Sequence, residues 1–95
     1  MTDLSISEVR FVAATPRLRE TGVEGWTSFT LSDRLRVDGV AVRRDREGRR
    51  YLAFPARWDE SGREHPYLRP LGPADRAEVE RQVFEALGNR LEAAP

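Results

Sequence analysis

The sequence predicts an α+β protein, in which an antiparallel sheet of about five short strands is followed by a C-terminal amphipathic helix packed on one face. Two observations support this prediction. Between residues 6 and 71 apolar residues recur mainly at every second position, as in half-buried strands. From residue 73 they recur at three- and four-residue steps, as in a helix. A chain of 95 residues has room for one core, so we predict a single domain over residues 1–95, with its core over 6–88, a tail over 89–95 and no internal repeats.

The first predicted strand is ISEVRFVAA. Val9, Phe11 and Ala13 fall on one side of this segment, and Pro16 ends it. The polar stretch over residues 16–25 lacks an alternating apolar pattern, so we predict that it is a loop or hairpin connection.

The second predicted strand is WTSFTL, followed by a turn at SDR. Thr27, Phe29 and Leu31 share one face of this strand. Trp26 stands at its start, and we expect this ring in the core because tryptophan is highly buried on average.

The third predicted strand, LRVDGVAVRR, changes its alternation part-way. Leu35 and Val37 fall on one parity and Val40 and Val42 on the other, so the apolar face shifts by one residue across Gly39. Because glycine adopts the dihedral angles that an inserted residue needs, we predict a β-bulge at this position.

Charged turns connect the remaining strands. RDREGRR is predicted as a hairpin turn into a fourth strand, YLAFP, which ends at Pro55 because proline has no N–H for a strand ladder. DESG is a second tight connection, and Pro66 and Pro70 indicate that REHPYLRPL is an edge or irregular strand. We expect Pro55 to release the chain from the sheet, so that Arg57 and Trp58 point outward.

The last predicted element is a helix within PADRAEVERQVFEALGNRLEA. Pro73 suits its first position, and Asp75 and Glu78 suit the positive end of the helix dipole. Gly88 and Asn89 are candidate C-terminal caps. The apolar stripe of this helix consists of Val79, Val83, Ala86, Leu87 and Leu91.

Composition narrows the possible functions. The chain has no cysteine, one histidine and no lysine, and its acidic residues are scattered among arginines. We therefore expect no enzymatic activity, no metal, no cofactor and no small-molecule substrate, and we expect His65 to be a surface or packing residue.

No apolar run approaches the roughly 18 residues of a spanning helix, and the N-terminus lacks a signal-peptide pattern. We expect a cytoplasmic protein without a membrane partner.

Charge distribution is more informative than total charge. The 16 basic residues, all arginine, balance 16 acidic ones, but residues 43–71 hold 8 arginines against 5 acidic residues, a net charge of +3. Within RRDREGRR the side chains of Arg43, Arg44, Arg46, Arg49 and Arg50 could project together from one end of the sheet and bind phosphate. The alternative is a solvated turn in which these arginines pair with the acidic residues between them.

Trp58 also has two interpretations. Next to Arg57, an exposed ring could stack on a base while the guanidinium meets the backbone, which is the usual arrangement in single-strand binding. The same ring could instead cover the helix or anchor a protein interface, because aromatic residues are enriched at such interfaces.

The order of these segments resembles a known family. SEVRF, SFTLSDRLRVDGVAV, YLAFPARW, SGREHPYLRPL and DRAEVERQVFEAL resemble, over about residues 6–88, the stage V sporulation protein G (SpoVG) family, the septation regulators of bacteria. The resemblance implies a small α+β fold that dimerises through its sheet, and site-selective DNA and RNA binding used in regulation. Basic positions after the fourth-strand proline and at the helix start would contact nucleic acid, and they correspond to Arg57 and Arg76.

The chain also departs from the family pattern. Glu78 and Trp58 stand where the family often has basic residues, so both departures remove positive charge. Gly39 and Ala41 replace polar residues of the third strand, and Arg69 stands where the family frequently has histidine. The resemblance therefore does not carry over a target sequence.

Two function hypotheses remain at this point. The first is a homodimeric, site-selective DNA/RNA-binding regulator without catalysis, since self-association would add burial to a small core. Its predicted nucleic-acid contacts are Arg43, Arg44, Arg49, Arg50, Arg57, Trp58, Arg69 and Arg76. The second is a dimeric protein–protein adaptor that uses Trp58 and the outer face of the helix and binds no nucleic acid.

Overall fold

In the computed structural model, which describes residues 4–91, a four-stranded antiparallel sheet in the order β1-β2-β3-β4 is accompanied by a separate two-stranded hairpin, β5-β6. The strands are β1 Ile6–Ala13, β2 Val23–Leu31, β3 Leu35–Arg44, β4 Arg50–Ala53, β5 Ala56–Trp58 and β6 Glu64–Pro66. The helices are α1 Pro16–Arg19 and α2 Pro73–Leu87, and a 3-10 turn covers Gly88–Leu91. The predicted α+β architecture is confirmed, and the chain does leave the main sheet at Pro55.

One hydrophobic core lies between the sheet and α2. Its members are Phe29, Val37, Val40, Val42, Leu52, Val79, Val83, Leu87 and Leu91. The predicted helical stripe is confirmed except at Ala86, which is exposed. Leu91 packs into the core from the 3-10 turn, so the packed chain extends past the predicted core boundary at residue 88. None of the helices within residues 4–91 has the length and apolar character needed to cross a membrane.

The bulge predicted in the third strand is confirmed. Thr27 lies opposite Val40 and Phe29 opposite Val37, so β3 contains one more residue than β2 over this stretch. Gly39 has a φ of 72°, in the left-handed region that suits glycine. The inserted residue turns the valines on both sides of it toward the core.

Residues 16–25 and Trp26 differ from the predictions. A short helix, α1, begins at Pro16, and β2 begins at Val23 within the predicted loop. The inward face of β2 includes Val23 and Gly25, so Trp26 is on the opposite face and 38% exposed. The prediction that Trp26 lies in the core is wrong, because Gly25 occupies the neighbouring inward position. A Cβ at Gly25 would lie 2.4 Å from the carbonyl oxygen of Val12, so this position has no room for a side chain.

Side chains of α2 bind the free edge of β4. Arg76 Nη1 donates to the carbonyl oxygen of Leu52 at 2.9 Å, and the Leu52 N–H donates to Glu80 Oε2 at 2.9 Å. Because an edge strand leaves backbone groups without a strand partner, these two side chains satisfy both polar groups of a buried residue. They also fix the helix relative to the sheet.

The edge of β1 is held by α2 and the following 3-10 turn. Gln82 Oε1 accepts from the N–H of Ile6 at 3.0 Å, and Gln82 Nε2 donates to the carbonyl oxygen of Leu4 at 3.2 Å. Arg90 Nη1 donates to the carbonyl oxygen of Val9 at 3.2 Å. The C-terminal segment therefore binds both edge strands of the main sheet.

Two hairpin turns share one sequence pattern and one geometry. In DREGR and DESGR an oxygen of Asp45 or Asp59 accepts from the backbone N–H groups two and four positions later, each at 2.9 Å. Gly48 and Gly62 both have a φ of 83°. An aspartate that binds its own following backbone is a common device for fixing a turn.

Candidate nucleic-acid interface

Arg44 and Arg50 lie opposite each other on β3 and β4, and both bind Glu24. Arg44 Nε is 2.9 Å from Glu24 Oε1, and Arg50 Nε is 2.7 Å from Glu24 Oε2. One carboxylate thus offsets one of the two positive charges and holds both guanidinium groups. Arg44 and Arg50, both predicted to contact phosphate, are therefore paired with a carboxylate of the protein itself.

The pKa of Glu24 reports the strength of this arrangement. Burial would raise the pKa of this carboxyl, but the hydrogen bonds from Arg50 and Arg44, together with their charges, outweigh burial and hold it below its ordinary value. Glu24 is therefore ionised at neutral pH.

Arg43 and Arg49 complete the predicted cluster at the β3-β4 turn. Arg49 Nη2 lies 2.8 Å from Glu47 Oε2, and both side chains are exposed. Arg43 Nη2 donates to the carbonyl oxygen of Thr21 at 3.4 Å, and no carboxylate between residues 4 and 91 pairs with its charge. The acidic residues near this turn therefore reduce the positive charge that the sequence predicted here.

Arg76 links α2 to β4. Besides its bond to the Leu52 carbonyl, its guanidinium lies 3.3 Å from Glu80 Oε2 and 5.6 Å from the centre of the Phe54 ring. The predicted contact residue at the helix start thus has three partners within the fold.

Arg69 and Arg76 line the same cleft of about 300 Å³, between β4, β6 and the start of α2. Phe54 and Leu68 give the cleft an apolar wall, and Glu64 adds an acid. Within residues 4–91, the exposed Arg69 has no ionic or hydrogen-bonding partner. The structure therefore brings Arg69 and Arg76, two of the predicted nucleic-acid contacts, into one cleft.

Arg57 and Trp58 are both exposed on the β5-β6 hairpin, as predicted, but on opposite faces of it. Arg57 lies opposite His65 and Trp58 opposite Glu64. Successive side chains of a strand point to opposite faces. The predicted pairing of this guanidinium with this ring on one surface does not occur within the hairpin.

The ring that shares a face with Arg57 is Tyr67. The Tyr67 N–H donates to the carbonyl oxygen of Pro55 at 2.9 Å, which continues the antiparallel register by one pair. Pro55, Arg57, His65 and Tyr67 thus have the same parity. We call this surface the Arg57 face and define it by Arg57, Asp59, Arg63, His65 and Tyr67. Tyr67 is 70% exposed. The sequence analysis did not identify Tyr67, because the face on which its ring lies depends on the register of the hairpin.

A hydrogen bond between Asp59 and His65 shows that these two side chains lie on the same face of the hairpin. Asp59 Oδ2 lies 2.7 Å from His65 Nε2, as expected for side chains on one face of the hairpin. The hydrogen bonds from the His65 side chain, the Arg63 backbone and the side chain and backbone of Ser61 lower the pKa of Asp59 to about 2. This carboxylate is charged at neutral pH, and it accepts hydrogen bonds from the backbone of its own turn.

The exposed surface of α2 is acidic. Arg81 lies 2.7 Å from Glu78 Oε2 and 3.2 Å from Glu85 Oε2. The hydrogen bonds from Arg81 and Gln82 lower the pKa of Glu78 to about 2, and the same ion pairs raise the pKa of Arg81. The acidic residues of α2 are Asp75, Glu78, Glu80 and Glu85, against two arginines. This helix would repel a phosphate backbone.

The sheet face opposite α2 carries an apolar row. Val12, Trp26, Ala41 and Ala53 lie side by side across the four strands. Val12 is 67% exposed and Trp26 38%, whereas Ala41 and Ala53 are half-buried. We call this row the outer sheet face. It offers an exposed apolar surface centred on Val12 and Trp26.

Comparison with known proteins does not assign the chain to a family. No protein-family model matches it, and a search of curated proteins finds no relative. The resemblance to the SpoVG family therefore stays a prediction. Among residues 4–91 no three histidine, aspartate or glutamate side chains are placed to hold a metal ion.

Proposed function

We propose that the protein is a homodimeric, site-selective DNA/RNA-binding regulator of the SpoVG type, that it acts in the cytoplasm, and that it has no enzymatic activity. The observation that carries this proposal is a set of three exposed arginines, Arg57, Arg63 and Arg69. Within residues 4–91 their side chains have no acidic or hydrogen-bonding partner, as is also true of Arg10, Arg17, Arg34 and Arg46, and they are grouped on the β5-β6 hairpin and the segment that follows it. Unpaired guanidinium groups beside exposed aromatic rings are suited to an anionic polymer with bases.

The ion pairs favour the β5-β6 hairpin over the β3-β4 turn as the centre of binding. At the β3-β4 turn Arg44, Arg50 and Arg49 are held by carboxylates, and breaking those pairs would oppose binding. Arg43 and Arg46 of the same turn have no acidic partner within residues 4–91. Arg76 is occupied by β4 and Glu80. The arginines of the hairpin and of the segment after it meet no such competition.

The outer sheet face supports the homodimer. Packing two copies through this face would remove Trp26 and Val12 from water, at about 25 cal/mol for each Å² of apolar area buried. The α2 side chains at the edges of β1 and β4 oppose an alternative dimer built by pairing those strands. A dimer would also double the number of unpaired arginines available to one nucleic acid.

The salt dependence of binding tests the nucleic-acid proposal. Each phosphate neutralised contributes about −0.9 to the slope of log affinity against log salt for duplex DNA and about −0.7 for a single strand. We expect Arg57→Ala to make this slope shallower by the contribution of one phosphate, about 0.9 for duplex DNA or about 0.7 for a single strand. Arg81→Ala is the matched control, because Arg81 is held by Glu78 and Glu85. Absence of binding to both DNA and RNA at low salt would remove the proposal.

A protein–protein adaptor is the second candidate. Trp58 is 66% exposed and lies opposite Glu64, and the acidic surface of α2 is unsuited to nucleic acid. A partner protein that survives nuclease treatment and is lost on Trp58→Ala, without any oligonucleotide binding, would select this function.

A further inference from the structure

We propose that the Arg57 face of the β5-β6 hairpin binds single-stranded nucleic acid, with a base stacked on Tyr67 and backbone phosphates on Arg57 and Arg63. This inference rests on the proposed function, and it narrows that function to one class of substrate and one aromatic ring. It assigns the stacking role to Tyr67 rather than to Trp58.

The geometry of the hairpin places a ring beside a cation on this face. Arg57 lies opposite His65, and Tyr67 is two residues after His65 on the same strand side, so Arg57 and Tyr67 are diagonal neighbours. Such neighbours lie about 7–8 Å apart between Cα atoms. At this distance a base can stack on one side chain while an adjacent phosphate reaches the other. The ring is 70% exposed, so binding displaces no protein side chain from it.

The charges on the two faces of the hairpin differ. Arg57 and Arg63 are cations on the Arg57 face, and the anion there, Asp59, is bound to His65 and to the backbone of the turn. On the other face Trp58 lies directly opposite Glu64. That face also borders the cleft lined by Arg69 and Arg76, but Glu64 lies next to the ring, and its carboxylate opposes a phosphate immediately beside Trp58.

A single strand fits this surface better than a duplex. An exposed ring can stack only on a base that is not already stacked within a helix. The element that most often enters the major groove is an α-helix, but α2 presents acidic residues on its exposed surface and its arginines are bonded within the fold.

Fluorescence anisotropy of the full chain with a labelled oligothymidylate tests the inference. The comparison ligands are an abasic strand with the same number of phosphates and a duplex of equal length. The variants are Tyr67→Ala, Tyr67→Phe and, on the opposite face, Trp58→Ala. We expect Tyr67→Ala to weaken binding to the oligothymidylate roughly 5- to 150-fold, the equivalent of one stacked base. Tyr67→Phe and Trp58→Ala should bind within about twofold of the parent protein, and circular dichroism verifies that each variant is folded.

Each outcome separates this inference from the proposed function. Tighter binding of the oligothymidylate than of the abasic strand and the duplex, with loss only in Tyr67→Ala, supports both. Equal binding of all three ligands, or a loss in Trp58→Ala as large as that in Tyr67→Ala, overturns the inference and leaves nucleic-acid binding intact. If no oligonucleotide binds under any condition, the proposed function and the inference fall together.

Discussion

The backbone N–H of Leu52 donates to Glu80 Oε2 across 2.9 Å, so a side chain of α2 takes the place of a neighbouring strand at the edge of the sheet. The same carboxylate also lies 3.3 Å from Arg76, whose guanidinium binds the Leu52 carbonyl. Helix and sheet are thereby joined by polar bonds as well as by the apolar core. The arrangement closes the edge of β4 to another strand.

Glu80→Ala should destabilise the protein by about 1–3 kcal/mol, because it leaves the N–H of a buried residue without a partner. Urea denaturation followed by circular dichroism measures this change. Glu85→Ala is the matched control on the same helix, since Glu85 is exposed and its one ionic partner among the described residues is Arg81, and it should change stability by less than about 0.5 kcal/mol. Equal effects of the two substitutions would show that the bond to Leu52 is unimportant.

Acid should open the β5-β6 hairpin through Asp59. Its pKa is lowered from 3.8 to about 2, so the stability that its carboxylate contributes is complete above pH 3.8 and is lost as the pH falls toward 2. The emission of Trp58, measured in a Trp26→Phe background, follows this change. Asp59→Asn should show no transition of Trp58 emission in that range, because the amide does not titrate. A transition that persists in Asp59→Asn would assign it to another group.

The repeated turn provides a way to neutralise one arginine of the Arg57 face. Ser61 stands where the first turn has Glu47, the partner of Arg49. We expect Ser61→Glu to pair with Arg63 in the same way and to make the salt slope for single-stranded binding shallower by about 0.7. Ser61→Gln is the control of equal size without charge. An unchanged slope in Ser61→Glu would exclude Arg63 from the contact.

Trp26 should determine the strength of self-association. If two copies pack through the outer sheet face, Trp26→Ala removes a central aromatic anchor, which costs about 2 kcal/mol or more, equivalent to at least about a thirtyfold weaker dimer. Sedimentation equilibrium measures the dissociation constant. Trp58→Ala should leave it unchanged. A parent protein that is monomeric, or a dimer that depends on Trp58 instead, would contradict the role of the outer sheet face.

Several local elements of this protein follow from the period of its apolar residues, although α1 and β5 were not predicted. The parity shift across Gly39 predicted the bulge, and the three- and four-residue spacing predicted the buried stripe of α2, which the structure confirms at Val79, Val83 and Leu87. These features depend on the backbone period of one strand or one helix, so neighbouring residues in the chain are sufficient to reveal them.

Only the tertiary structure decided which faces and charges come together. Glu24 binds Arg44 and Arg50 from 20 and 26 residues away, so no local pattern in RRDREGRR could show that two of its arginines are paired. Trp26 is on the outer face because the helix covers the other one. Tyr67 joins Arg57 because the DESGR turn fixes the register between β5 and β6. Ion pairs and face assignments arise from contacts between distant segments, and these contacts exist only once the chain has folded.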